Sequence, residues 1–258
     1  SYTDSYGNVL ESNLEGHNAY FEDNEDEEEE DDFEDDEEDL LDKYIEMYEE
    51  MVGELPDTET DGFVPQILKV SFDAMNINGL NEAQLKLHQE LLKASVKNEP
   101  GLETRLRNAI TQHPDVPVFY NLLAGFLYNQ KREPEALALS EENIFRFPQY
   151  TMGKIQLAQI AAFRNEYEKI PELLSNFNFD LLFEGRDTVH ASEVLALSRV
   201  GLSYFLWAED IPQAWRCFDA LYEYGATDET IKSAELEFML KMNEYLSRRL
   251  KVTEEGRG

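Results

Sequence analysis

Apolar residues recur every three or four positions through most of the chain beyond residue 80, which is the spacing of one buried face on an α-helix. Residues 81–98 set Ala83, Leu85, Leu87, Leu91, Leu92 and Val96 among polar neighbours, and helical stretches follow at 102–113, 118–130, 134–147, 152–164 and 168–177. A last helix, N-capped by Thr227 or Asp228 and running to about Lys251, is predicted to cover the final hairpin with Ile231, Ala234, Leu236, Phe238, Met242 and Leu246. Upstream, Leu41, Tyr44, Ile45, Tyr48, Val52 and Leu55 form one stripe, which predicts an amphipathic helix ending at Pro56. Its apolar face has to be covered, either by the helices that follow or in a groove, the protein's own or a partner's. Strand-like alternation is confined to residues 69–75, and these too read as helix. The fold class predicted is all-α.

Spacing adds a second level of order. His113-Pro114 recurs as Phe147-Pro148, and Leu123-Ala124 recurs as Leu157-Ala158, in both cases 34 residues on. Leu102, Ala136 and Ile170 continue the same interval. A period of 34 with two helices in each resembles the tetratricopeptide repeat. Residues 117–150 carry Tyr120, Leu123, Ala124, Leu127, Ala136 and Pro148 at signature places, while Ser140 and Asn143 stand where a bulky aromatic and an alanine are usual. Residues 83–116 fit in their second helix through Leu102, Leu106, Ala109 and Pro114. Residues 151–184 fit through Leu157, Ala158, Ala161, Ile170, Leu174 and Phe177. A fourth unit, delayed by about ten inserted residues, brings Phe205, Ala214, Phe218 and Leu221. Small residues where two helices cross let them approach, and large ones fill the space between hairpins. Pro134 and Pro212 sit at helix starts, where a missing N–H costs little, whereas Pro171 comes later in its unit and predicts a late or kinked helix.

The resemblance covers residues 83–250 and implies a right-handed α-solenoid closed by a C-terminal capping helix. It also implies a concave face, built from first-helix side chains, that holds a peptide or helix of a partner. The matching positions here include Val118, Asn121, Tyr128, Met152, Ile155, Gln159 and Arg199. Gly125 and Ile155 replace the basic clamp that some members use for chaperone C-termini, so that specificity does not carry over.

Charge divides the chain. The formal net charge is −33, and residues 1–62 hold 27 acidic residues against Lys43 alone, leaving 28 acidic and 21 basic residues beyond. In residues 22–39 all but Asn24 and Phe33 are acidic, and crowded like charges oppose compaction. Residues 1–39 are therefore expected to form a disordered acidic tail, 40–80 an amphipathic helix with a connecting segment, and 81–258 the repeat domain. Such a polyanion repels phosphate backbones and anionic lipid, which points to protein partners, basic ones included, rather than nucleic acid or membrane.

Catalytic and metal signatures are not found. Asp57, Glu59, Asp61 and Gly62 begin like a calcium loop, but Leu68 stands where its bidentate glutamate belongs. The four histidines lack ligand spacing, and His190, Ser192 and Glu193 read as helix capping by Thr188 or Ser192. Cys217 is the single cysteine and reads as a buried thiol. With no apolar run of 18 residues and no leader pattern at the start, cytoplasmic residence is expected. These features predict a noncatalytic protein-binding scaffold without cofactor or metal. The alternative is an acidic chaperone that masks a basic protein of histone or ribosomal type.

Overall fold

The computed structural model describes residues 34–66, 68–73 and 79–255. Those residues are mostly helical: eleven α-helices packed against one another, with two short strands, an arrangement compatible with a helical repeat fold. Helices α1 (Glu34–Met51), α2 (Glu82–Val96), α3 (Leu102–Gln112), α4 (Pro117–Asn129), α5 (Glu133–Arg146) and α6 (Thr151–Phe163) are followed by two four-residue helices, α7 (Ile170–Leu173) and α8 (Phe179–Leu182). Then come α9 (Ala191–Trp207), α10 (Ile211–Glu223) and α11 (Asp228–Glu255).

Local chemistry sets most helix ends. Asn81 accepts from the Gln84 amide at 2.9 Å while Gln84 accepts from the Asn81 amide at 3.1 Å, a reciprocal cap for α2. Asp210 caps α10 through the Gln213 amide at 3.2 Å, and Thr227 caps α11 through the Thr230 amide at 3.0 Å. Helices α4, α5 and α10 each carry proline in the first turn. The turns that end α4, α6 and α9 pass through left-handed residues, Lys131, Asn165 and Glu209, at φ 61°, 56° and 60°. The first two lie 34 positions apart and the third a further 44, so the period read from side chains reappears in the backbone together with its insertion.

Packing follows from the apolar faces. Helices α4 and α5 form one close pair and α9 and α10 another, while α6 packs against both α4 and α9. Leu102, Leu106 and Ala109 of α3 are each at most 3% exposed, as are Ala234, Phe238, Met242 and Leu246 of α11. On the surface, Arg132 bridges α3 and α5, bonding Glu103 at 2.7 Å and Glu135 at 2.6 Å, and holds both carboxyls below the ordinary glutamate value.

Several expectations need correction. Residues 69–71 are not helical: β1 (Lys69–Ser71) pairs in parallel with β2 (Thr188–His190), Val70 opposite Val189. A partner more than a hundred residues downstream decides this, and local periodicity cannot see it. The insertion before the fourth unit supplies β2, and the helix expected over 168–177 is broken into 3-10 turns flanking α7, which carries Pro171 in its first turn. Leu236 does not cover the final hairpin; it is 55% exposed. The stripe helix stops at Met51 rather than Pro56, and Gly53 at φ 142° follows. It also starts earlier, because the backbone of Glu34–Met51 runs on from the acidic stretch, whose charges favour a helix N-terminus. The remainder of the expected tail, residues 1–33, lies outside the described residues.

Residues 40–66 pack against the helical array. Helix α1 buries Leu41 and Tyr48 against α11, with the Tyr48 and Tyr245 rings 6.1 Å apart. The following segment sets Phe63 edge-to-face on Phe179 at 5.3 Å.

Candidate protein-binding surface

The residues named for a groove lie on three helices, α4, α6 and α9. The structure leaves few of them accessible. Val118 is 2% exposed, Asn121 7%, Met152 5%, Ile155 0% and Gln159 5%. The physical reason is the close approach of α4, α6 and α9, which turns these positions into the seams between helices. Polar side chains stitch the seams. The Gln156 amide donates to the Asn121 carbonyl at 2.9 Å, and the Ser140 hydroxyl donates to the Gln156 carbonyl oxygen at 3.2 Å, linking α5, α6 and α4. Arg199 is half-buried and already engaged, donating to Ser203 at 2.8 Å and pairing with Glu237 of α11 at 2.8 Å.

Tyr128 is half-buried, and it belongs to a larger feature. Its ring stacks on Phe163 with centroids 5.6 Å apart, and Tyr167 stacks on Trp207 at 5.5 Å. Tyr128, Phe163 and Trp207 end α4, α6 and α9, so the aromatic pairs follow one edge of the array. Phe163 and Trp207 are each 50% exposed. Burial pushes the Tyr128 and Tyr167 hydroxyls up from their ordinary values, with Glu133 and Glu237 adding to the effect, so both rings are neutral hydrogen-bonding phenols at pH 7. The row continues inward through Tyr204, 6.0 Å from Trp207 and 5.4 Å from Phe177. Sequence reasoning named Tyr128 and missed Phe163 and Trp207. The signal was available, because each stands at the C-terminal end of a first helix.

At the opposite, N-terminal ends of these helices a cleft of about 670 Å3 lies between Pro117, Thr151 and the β2 segment. Arg186, Thr188, His190 and Glu193 of its lining are bonded to one another. Arg186 forks onto Glu193 at 2.8 and 2.6 Å and donates to the Thr188 carbonyl at 3.2 Å, while Glu193 accepts from the His190 amide at 3.0 Å. The cap of α9 is His190, whose Nδ1 accepts from the Ser192 amide at 3.2 Å, rather than Thr188 or Ser192. The trio His190, Ser192 and Glu193 therefore organises a helix start.

Comparison with known protein families, curated proteins and solved structures returned no match. Among the described residues no helix is long and apolar enough to cross a membrane.

Proposed function

We propose that the protein is a noncatalytic, tetratricopeptide-like interaction scaffold that binds an extended or helical segment of a partner protein. The observation that carries this reading is the edge row of stacked aromatics, Tyr128 with the half-exposed Phe163 and Tyr167 with the half-exposed Trp207. Rings held in place by stacking offer large apolar area at small entropic cost, and such residues dominate binding energy at protein interfaces. The edge replaces the concave rows as the contact surface, since the seams there are closed.

The acidic run at 22–39 favours a second reading, in which the partner is basic and is masked by charge. Both are tested by affinity capture from native lysate at low and high salt, with the whole chain, with Phe163→Ala/Trp207→Ala, and with residues 1–33 removed. The scaffold reading expects a partner retained at high salt, retained after removal of 1–33, and lost with the double substitution. A partner indifferent to the double substitution, released by salt and lost with residues 1–33, would sink it in favour of masking.

A further inference from the structure

The inner end of the aromatic row opens onto a second cleft, of about 490 Å3, between the segment around Phe63, the 3-10 turn Ser175–Phe177 and the start of α10. Four phenylalanines line it. Phe63 and Phe179 meet edge-to-face at 5.3 Å, and Phe177 and Phe205 lie 4.7 Å apart, the latter two half-buried. Phe177 is put there by an uncommon backbone: Ser175, Asn176 and Phe177 take φ of 52°, 55° and 56° in succession. The ring also needs Gly201 opposite, whose β-position would lie 3.3 Å from it.

The rim is acidic. Asp61, Asp180 and Asp210 border the cleft with Arg216 as the basic residue among them. Arg216 is occupied by Asp61, donating from Nε to its carbonyl at 2.9 Å and from a terminal nitrogen to its carboxylate. Asp210 spends Oδ1 on the Gln213 amide, and Asp180 is exposed and forms no ion pair among the described residues. Asp180 and Asp210 thus line the cleft with the four phenylalanines and without an ion pair among the described residues, beside a guanidinium–carboxylate pair already formed in the same place.

We propose that this cleft takes the arginine side chain of a basic partner segment. Its guanidinium plane lies on Phe177 and Phe205 and its N–H groups reach Asp180 and Asp210. Arginine fits better than lysine because a planar, weakly hydrated cation both stacks on rings and forks onto carboxylates. The inference rests on the protein-binding reading and gives it a specificity: a segment running along the aromatic edge anchors a positive side chain at the edge's inner end.

The test uses the whole chain and a small probe. Amide spectra are recorded during titration with N-acetyl-arginine methylamide, with the neutral N-acetyl-citrulline methylamide alongside. The arginine derivative is expected to give saturable shifts at Phe177, Asn178, Phe205 and Asp61, and the citrulline derivative none. Asp180→Asn/Asp210→Asn, in which asparagine keeps the helix cap, is expected to weaken binding roughly tenfold at an unchanged urea midpoint. Equal shifts with citrulline, shifts unaltered by the double substitution, or shifts confined to residues 22–39 overturn the proposal. Cleft shifts together with partner capture indifferent to Phe163→Ala/Trp207→Ala would sink the scaffold reading while leaving the cleft standing.

Discussion

Asn143 is wholly buried on α5, and neither atom of its side-chain amide has a protein partner within hydrogen-bond reach. It stands where the repeat signature has alanine, and its amide nitrogen lies 3.4 Å from the β-position of Gly153. A buried amide without a partner costs about 1–3 kcal/mol, more than the packing a truncation to one methyl gives up beside a glycine. Asn143→Ala is accordingly expected to stabilise the protein by roughly 1 kcal/mol, seen as a rise of about 2–4 °C in Tm. A fall in Tm would show that the amide is satisfied in solution. Ser140, the other departure from the signature, behaves differently because its hydroxyl donates a hydrogen bond to the Gln156 carbonyl oxygen at 3.2 Å. Ser140→Ala would leave the Gln156 carbonyl oxygen short of a donor, so two polar residues on one helix face have opposite signs.

Between elements, the closest fit is in the α9–α10 hairpin. A β-carbon on Gly201 would lie 2.8 Å from the Cys217 sulfur, and burial pushes that thiol well above its usual pKa, so it packs as a small apolar group. Gly201→Ala is expected to cost about 1–3 kcal/mol by overpacking. Combined with Cys217→Ala the cost should fall below the sum of the two single changes by about 1 kcal/mol, because the new methyl occupies the space of the lost sulfur. Additive urea midpoints would mean that the helices relax apart instead. Hairpins of this kind were legible in the sequence because their determinants are local: Asn81, Asp210 and Thr227 cap within three residues, and the stripes need only helical spacing. The strand at 69–71 was not legible, since Val70 acquires its state from Val189. The candidate surface was half legible. Val118 and Ile155 were placed on the right helices, but a first-helix apolar position reads the same whether neighbouring helices stand apart or close, and here they close. Phe163 and Trp207 sat at readable intervals behind Tyr128, yet the groove pattern drew attention inward and away from the edge.

At the scale of the whole molecule, part of the charge assigned by sequence to a detached tail lies in helix α1. Helix α1, with ten acidic residues and one lysine, packs on α11 around Tyr245, where Lys241, Arg248, Arg249 and Lys251 stand among Glu244, Glu254 and Glu255. The contact has an apolar part, Leu41, Tyr48 and Tyr245 with Leu246 beneath, and a charged part that water can screen. Hydrogen exchange separates them. Raising salt to about 1 M reduces the Debye length to about 3 Å, so amides of residues 41–51 should exchange several-fold faster while those of α4 and α6 keep their rates. Arg248→Gln/Arg249→Gln/Lys251→Gln should give the same acceleration at low salt and remove most of the salt effect. If α1 exchanges equally slowly in all these states, apolar burial alone holds it. If it exchanges at the unprotected rate even at low salt, α1 is not docked on α11 in solution, and its apolar face is free to be covered by something else.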